Sequence, residues 1–388
     1  RVGWREERYG AESIDHALKT QKTFLTDDWE SLVTHSKIEI IIEATGNPIA
    51  AVEHVLKSIA NGKDIVMVTV EGDVLCGPLL ASKAKSAGVI YSLAYGDQPA
   101  LICELVDWAR ASGFKVTAAG RGHKWLPHFK QSTPETVWEN WGVSEENAIK
   151  GGLNPKMFNS FLDGSKPAIE STAVCNSTGL KAAIGGLKFP PGSVEDIPNL
   201  MRTTQEGGIL TEDSQVEVVS SLRHDGTEIT YNIRQGVWVV YDSESDYVSR
   251  CFNEYHTLTD SSGRYGCIYK RWHLIGLEVG ISVASIALRR EPTGCPTDFI
   301  ADVVAEAKKN LTTGEILDGE GGYTVVGQLM PAGRSNNLSA FPLGLAQGCR
   351  LVRDVKQGEV ITWSDVLVDE TLLAVRSRKE MIKMFTRS

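Results

Sequence analysis

Several features that define common protein classes are missing from this chain of 388 residues. Its 7 cysteines include no Cys-x-x-Cys pair, which argues against a structural zinc site and favours reduced thiols in a cytoplasmic protein. No apolar run is long enough to span a membrane, so we expect no membrane contact. The net charge is −9, which disfavours nucleic acid as a partner.

The chain also lacks the Gly-x-Gly-x-x-Gly fingerprint that binds dinucleotide phosphates in a doubly wound sheet. This absence argues against a dinucleotide site if the sequence is complete. The first residue is Arg1 and not Met, so we expect a first strand and its glycine turn to lie upstream. The charged residues among the first eight argue against a signal peptide.

The first third of the chain alternates short β-branched runs with helical stretches. The pattern predicts strands at residues 38–44, 64–70, 89–93 and 114–119, with helices at 48–62, 78–87 and 100–112. Strands separated by helices of this length form parallel βαβ units. The predicted fold class is therefore α/β, with a Rossmann-like doubly wound parallel sheet over residues 1–120.

The regular alternation of predicted strands and helices ends after residue 120. Residues 121–160 are rich in loops and residues 155–185 are mainly helical. Strands are predicted at 216–221, 228–233 and 237–241, with a turn at 224–226 and a long buried helix at 274–288. Residues 121–300 are thus predicted to form an α+β substrate domain. Residues 301–388 are predicted to form a small β-rich module, with a basic, solvated tail at 376–388.

The first candidate site lies at the end of the strand at 38–44. Small residues there, Ala44, Thr45, Gly46 and Asn47, would let a nicotinamide or ribose approach the backbone next to a helix N-terminus. A plain strand–turn–helix connection has the same pattern. Thr69 and Glu71 follow the next strand and are assigned to the same cofactor site, although a solvated turn explains them equally well.

Basic residues mark a second candidate, for binding substrate. Arg121 and Lys124 follow a strand and are interleaved with glycines, a pattern that suits a phosphate or carboxylate. An exposed basic loop is the alternative. His273 is included as a substrate-binding residue or general acid, although a lone histidine is more often structural.

A third candidate lies where a helix is predicted to begin near residue 167. Asp163, Lys166 and Glu170 would then lie close together, with Lys166 and Glu170 as an i,i+4 pair. A lysine held by carboxylates can move a proton while hydride is transferred. Spacing alone favours the alternative, a capped helix with a surface ion pair.

These segments together resemble the homoserine-dehydrogenase-like oxidoreductases that end in a SAF module, including a branch similar to 1-deoxy-D-xylulose 5-phosphate reductoisomerase. The resemblance rests on seven stretches: EATGNP, VTVEGDVLCGPLLA, YSLAYGDQPALICELVDWAR, FNSFLDGSKPAIE, HLIGLEVGISVAS, LDGEGGYTVVGQL and LVRDVKQGEVITWSDV. It implies a homodimer formed through residues 121–300. It also implies Lys166, Asp163 and Glu170 as catalytic residues, although Glu71 stands where homoserine dehydrogenases carry a lysine.

The resemblance further implies an NADP-dependent enzyme, with NAD as the alternative, and a divalent metal such as Mg or Mn whose ligands are unknown. The first expected reaction is isomerisation and reduction of 1-deoxy-D-xylulose 5-phosphate to 2-C-methyl-D-erythritol 4-phosphate, an isoprenoid precursor. Arg121 and Lys124 would then hold the phosphate of the substrate. One alternative is a dehydrogenase of a small hydroxy or amino acid, and another is a non-catalytic protein that binds a small ligand.

Overall fold

The computed structural model describes residues 8–386, so the predictions made for residues 1–7, 387 and 388 lie outside it. The strands of the described chain are β1 (Tyr9–Ala11), β2 (Thr23–Phe24), β3 (Ile40–Glu43), β4 (Asp64–Met67), β5 (Tyr91–Leu93), β6 (Lys115–His123), β7 (Lys181–Ala182), β8 (Gln215–Ser220), β9 (Val237–Asp242), β10 (Tyr265–Lys270), β11 (Ala301–Ala307), β12 (Val325–Pro331), β13 (Arg350–Leu351) and β14 (Val366–Leu367).

The α-helices of the same stretch are α1 (Ile14–Thr20), α2 (Trp29–Thr34), α3 (Pro48–Ala60), α4 (Val70–Ser86), α5 (Gln98–Ala111), α6 (Val137–Trp141), α7 (Glu145–Lys150), α8 (Pro155–Leu162), α9 (Ser165–Thr178), α10 (Ile197–Leu200), α11 (Asp246–Glu254), α12 (Gly280–Ala284), α13 (Ala332–Leu338) and α14 (Leu373–Phe385). No helix of residues 8–386 is both long enough and apolar enough to cross a membrane.

The first sheet is parallel, with strand order β3-β4-β5. Ile65 and Met67 belong to the main core, with residues of α3 and α4. Val66 points to the other face, where Ile286 packs on it from a π-helical turn that follows α12. Both faces are therefore covered, which confirms the Rossmann-like α/β prediction for this part of the chain.

The second sheet is mixed and has the order β10-β9-β6-β8-β7. β6 pairs in parallel with β8 and antiparallel with β9. The prediction that residues 114–119 form a fourth strand of the first sheet was wrong. The local sequence marks this segment correctly as a strand, but its partners lie about a hundred residues away and set the sheet to which it belongs.

The C-terminal unit contains the antiparallel pair β11–β12, the short pair β13–β14 and two helices, α13 and α14. α14 packs against α3 and α4 of the first sheet. Arg378 of α14 is buried, donates to the Leu75 carbonyl at 3.1 Å and pairs with Asp302. The prediction of a solvated tail from residue 376 was therefore wrong up to residue 385, because one face of this basic helix is apolar and buried.

Three further elements differ from prediction. α4 begins at Val70 rather than near residue 78, because burial of its apolar residues offsets the hydrogen bond lost at Pro78. The segment at 228–233 is irregular, although the Gly226 amide closes the predicted turn onto the Arg223 carbonyl at 2.8 Å. The stretch 274–288 holds only α12 and the π-helical turn, with Leu277 and Leu288 exposed, and is not one buried helix.

Candidate active site

The carboxyl end of β3 forms an exposed shelf of residues 44–47. The hydroxyl of Thr45 donates to Oε1 of Glu43, the last residue of β3, at 2.7 Å. The amide of Gly46 donates to Oγ1 of Thr69 at 3.0 Å, and Asn47 caps α3. Thr69 in turn precedes α4, which brings the ends of β3 and β4 together. The structure thus gathers Ala44, Thr45, Gly46, Asn47 and Thr69 at one edge.

Lys166 lies at the same edge of the sheet. It occupies the first turn of α9 and its Nζ donates to Oε1 of Glu71, in the first turn of α4. The two side chains are only 16% and 13% exposed. Burial lowers the pKa of Lys166, but the carboxylates of Glu71, Glu320 and Asp97 outweigh it and hold that pKa above its ordinary value. Lys166 is therefore a fixed ammonium beside the shelf.

Asp163 does not hold Lys166, contrary to prediction. Its Oδ2 accepts from Nζ of Lys308, in the C-terminal unit, at 2.7 Å, and both side chains are buried. Lys308 also donates to the carbonyls of Ser132 at 2.9 Å and Gly322 at 2.8 Å. Burial raises the pKa of Asp163, although Lys308 opposes this shift. Asp163 therefore ties α8 to the C-terminal unit.

Glu170 does not hold Lys166 either. Its Oε2 accepts from Nη1 of Arg121 in β6, and both side chains are almost fully buried. The i,i+4 spacing is met, but Lys166 leaves the open N-terminal end of α9 whereas Glu170 faces the second sheet. The ion pair between Arg121 and Glu170 is therefore formed in place of the predicted contact between Lys166 and Glu170.

Arg121 and Lys124 do not form the predicted phosphate grip. Arg121 is bound to Glu170, and burial lowers its pKa to about 10. Lys124 donates to the carbonyls of Asn140 at 2.7 Å and Trp141 at 3.0 Å. The glycines beside Arg121 serve packing rather than anion binding: a Cβ on Gly120 would lie 1.8 Å from the carbonyl oxygen of Glu217.

Gln98, the first residue of α5, lies between His273 and the ion pair of Arg121 and Glu170. The Gln98 carboxamide, with its oxygen toward Arg121, accepts from Arg121 Nη1 at 3.0 Å and lies 2.9 Å from Nε2 of His273. Nδ1 of His273 lies 2.8 Å from the Gln235 carbonyl oxygen. Burial lowers the pKa of His273, and the Gln235 carbonyl oxygen requires a proton on Nδ1.

Sequence reasoning missed Asp97, Gln98 and Glu320. Asp97 follows β5 and caps α5, since its Oδ1 accepts from the Gln98 amide at 2.9 Å. Burial raises its pKa, while Lys166 opposes the shift. An acidic N-cap after the third strand, followed by Gln-Pro, was a readable signal. Glu320 comes from the C-terminal unit, where the only sequence signal is a carboxylate set among three glycines.

The described chain offers no evident metal centre. Within residues 8–386, no group of three or more histidine, cysteine, aspartate or glutamate residues is arranged to hold a metal ion. Among Glu71, Asp97 and Glu320, the cation is the ammonium group of Lys166. These residues therefore do not fit the Mg or Mn ion that the resemblance implies.

Two family models match consecutive parts of the chain. Residues 6–93 match the NAD-binding domain of homoserine dehydrogenase, and residues 96–279 match the catalytic domain of Oxidoreductase DRL. The boundary between the two matches falls between β5 and α5, at the strand-end loop that carries Asp97. No curated protein sequence matches this chain significantly.

The solved structures to which this chain is similar are distant. An oxidoreductase from Bacillus cereus is 10% identical, with a TM-score of 0.32 over 72% of this chain and 80% of its own. An NAD binding oxidoreductase from Klebsiella pneumoniae is 13% identical, with a TM-score of 0.28 over 68% of this chain and 55% of its own. A DOX-P reductoisomerase in complex with magnesium is 14% identical, with a TM-score of 0.28 over 58% of this chain and 47% of its own.

The Rossmann-like sheet and the matched cofactor and catalytic domains define an NAD(P)-dependent oxidoreductase. Within that class, the chain combines a homoserine-dehydrogenase-type NAD-binding domain with a DRL-type catalytic domain.

Proposed function

We propose that this protein interconverts a carbonyl and a hydroxyl group on a small polar substrate, with Lys166 as the group that exchanges a proton with the reacting oxygen. The observation that carries the proposal is the Lys166 ammonium beside the strand-end shelf, bonded to Glu71 and sheltered from solvent. Ligands of doubly wound sheets bind just beyond the carboxyl ends of the strands. Substrate bound there would lie within reach of Lys166.

The shelf fits a nicotinamide ring and its ribose. A Cβ on Gly46 would meet no atom within 4 Å, so a flat ring can approach the backbone there. Oε1 of Glu43 accepts from the Thr45 hydroxyl at 2.7 Å, and Oε2 is buried without a hydrogen-bond partner among the described residues. Residues 44–47 with Thr69 would hold the cofactor, which supplies or accepts the hydride when bound. NADP is proposed as the cofactor, with NAD as the alternative.

The charge of Lys166 suits its proposed role. Three neighbouring carboxylates keep its pKa above the ordinary lysine value, so it is an ammonium at neutral pH. An ammonium can polarise a carbonyl oxygen and then donate a proton to the alkoxide that hydride addition creates. Glu71 orients the ammonium, because the two side chains hold each other at the cleft.

For the substrate, 1-deoxy-D-xylulose 5-phosphate is the first candidate, on the basis of the DRL catalytic domain. A small hydroxy or amino acid such as homoserine is the second. One observation favours the second candidate: Arg121 and Lys124 are engaged within the protein, while Glu71, Asp97 and Glu320 surround a single ammonium. That balance of charge is better matched by an amine than by a phosphate.

The test begins with fluorescence titration of NADPH and NADH into the purified chain. Turnover of the two substrates is then measured with the bound cofactor, with and without Mg²⁺. Replacing Lys166→Met should lower kcat by about 10²–10⁴-fold, the range for losing a proton-transferring group, with cofactor binding unchanged.

The exposed lysine of α1 serves as the matched control, and Lys19→Met should retain full activity. Failure of both nucleotides to bind would contradict the assignment of the shelf. Full activity of the Lys166→Met variant would contradict the role of Lys166, whichever substrate is used.

A further inference from the structure

Arg234 is a partly buried arginine without a carboxylate partner. Four arginines of the described chain are not exposed, and the other three each form an ion pair with an aspartate or a glutamate: Arg121, Arg202 and Arg378. The guanidinium of Arg234 forms no ion pair or hydrogen bond with any described residue, and it lies over the ring of Trp141, 5.1 Å from Cζ to the ring centroid. A guanidinium carries five N–H donors and stays charged, so the donors of Arg234 are available to a ligand.

Lys124 brings a second positive charge to Trp141. Its Nζ donates to the Trp141 carbonyl at 3.0 Å and to the preceding carbonyl at 2.7 Å, which uses two of its three N–H donors. Glu228, a carboxylate of the same loop as Arg234, is exposed, and its Oε1 accepts from an asparagine side chain of that loop at 3.2 Å. Burial and the charge of Arg234 lower the pKa of Lys124, against the opposing effect of Glu228. Two cations therefore meet at Trp141, and neither forms an ion pair with a described carboxylate.

The loop that carries Arg234 is joined to the edge of the first sheet that carries the shelf. The carbonyl oxygen of the next residue, Gln235, lies 2.8 Å from Nδ1 of His273. Nε2 of His273 lies 2.9 Å from the carboxamide of Gln98, which begins α5 after the carboxyl end of β5. Two consecutive polar contacts thus connect this loop to the edge at which doubly wound sheets bind their ligands.

Trp141 connects Arg234 to the segment that leads to Lys166. Trp141 is the last residue of α6, and its ring centroid lies 6.1 Å from that of Phe161, near the end of α8. The carbonyl oxygen of Phe161 lies 2.7 Å from Nε2 of His123, the last residue of β6. Lys166 follows Phe161 by only a few residues, in the first turn of α9. Arg234 therefore lies between the edge of the first sheet and the corner where α8 meets α9.

We propose that Arg234, assisted by Lys124, binds an oxyanion of the substrate, a carboxylate or a phosphate group. This inference rests on the proposed function, because the same molecule must present its reacting oxygen to Lys166. A guanidinium can donate two parallel N–H bonds to either anion, and the anion would neutralise the two cations at Trp141. Both candidate substrates carry such a group: the phosphate of 1-deoxy-D-xylulose 5-phosphate and the carboxylate of homoserine. Arg234 thus takes the role that the sequence assigned to Arg121.

The first test compares the KM of each candidate substrate for the wild type and for Arg234→Met. Loss of a hydrogen bond to a charged group should raise KM by about 10–100-fold. The kcat should change much less, because Arg234 does not touch the reacting oxygen, and the Kd of NADPH should be unchanged. The variant should fold, since the side chain of Arg234 forms no hydrogen bond or ion pair with a described residue that its removal would break.

Two further variants separate binding from a loss of charge in general. Arg234→Lys keeps the charge but not the two parallel donors, so its KM should lie between those of the wild type and Arg234→Met. Arg250→Met is the matched control, because Arg250 is exposed and also lies over an aromatic ring, with its Cζ 5.8 Å from the ring centroid of Tyr247. This control should keep the KM of the wild type.

A second readout requires neither cofactor nor turnover. In the ¹⁵N-labelled protein, the Nε–H signal of Arg234, identified by its absence from Arg234→Met, should shift when inorganic phosphate or acetate is added. A stronger response to phosphate would indicate a phosphorylated substrate, and a stronger response to acetate would indicate a carboxylate. If neither anion shifts the signal, or if Arg234→Met keeps the KM of the wild type, the inference is wrong. Absence of turnover with every substrate would contradict the proposed function instead, and the anion titration would still decide whether Arg234 binds an oxyanion.

Discussion

The ion pair between Glu71 and Lys166 joins the first turn of α4 to the first turn of α9, across 95 residues of sequence. It links the end of a cofactor-domain strand with the helix at the centre of the molecule. α9 also contacts α5, β11 and β12, so it touches all three units of the chain. The proposed proton donor is thereby placed on the most extensively supported helix near the site.

Glu71→Gln should lower the stability of the protein in a pH-dependent way. The pair raises the pKa of Lys166, so its contribution is present below the pKa of an unfolded lysine and is lost as the pH rises through the folded pKa. At pH 7 the variant should lose about 1.5–3 kcal/mol, typical of a hydrogen bond to a charged group. Urea unfolding at pH 7 and at a pH above the folded pKa of Lys166 measures the cost of the substitution, which should narrow at the higher pH.

The exposed pair of Lys83 and Glu380, 2.7 Å apart, is the control. Glu380→Gln should cost about 0–1 kcal/mol at pH 7, since exposed ion pairs contribute little. Equal costs for the two variants would show that Glu71 and Lys166 are as solvated as a surface pair.

Glu170→Gln should be more destabilising, because it leaves the Arg121 guanidinium charged and buried. Breaking such a pair by removing one partner costs about 3–5 kcal/mol. The double variant, with Arg121→Met in addition, should cost less than the sum of the two single changes, because it removes the uncompensated charge as well. Guanidinium chloride unfolding of the four proteins gives the coupling, and strictly additive costs would contradict the buried pairing.

Lys308 and Lys309 are neighbours with very different surroundings. The side chain of Lys308 is 2% exposed and binds Asp163, whereas Lys309 is 53% exposed and binds Glu315. Lys308→Met should cost about 3–5 kcal/mol, because Asp163 is left buried without its cation. Lys309→Met should cost less than about 1 kcal/mol. Thermal unfolding of both variants checks this, and a Lys308→Met protein as stable as the wild type would contradict the buried pairing with Asp163.

The sequence was sufficient to predict the edge of the sheet but not the ion pairs. Residues 44–47 and Thr69 could be placed together because carboxyl ends of parallel strands share an edge, a rule that needs only correct strands. The partners of Lys166 and Asp163 could not be predicted, because Glu71 and Lys308 lie 95 and 145 residues away. Local spacing suggested Glu170 as the partner of Lys166 instead. The side chains of Lys166 and Glu170 are kept apart by the orientation of α9, which begins after Gly164.

Glu320 illustrates the same limit. A carboxylate among glycines is typical of a solvated turn, and nothing nearby in sequence indicates a buried neighbour. Its surroundings arise only when the C-terminal unit packs on α8. The same packing explains why residues 376–385 form a helix rather than the predicted tail, since Arg378 finds Asp302 only in the folded protein.

The π-helical turn after α12 has a consequence for dissecting the molecule. The chain leaves the first sheet after β5, forms all five described strands of the second sheet, and only then returns to pack Ile286 on Val66 and Ala94. A fragment cut after β5 would contain the described strands of the first sheet, β3, β4 and β5, yet leave one apolar face of that sheet exposed. The domain around the first sheet is therefore built from two separate segments of the sequence. The first segment alone should aggregate, because it would expose a large apolar face, and should not form a minimal nucleotide-binding module.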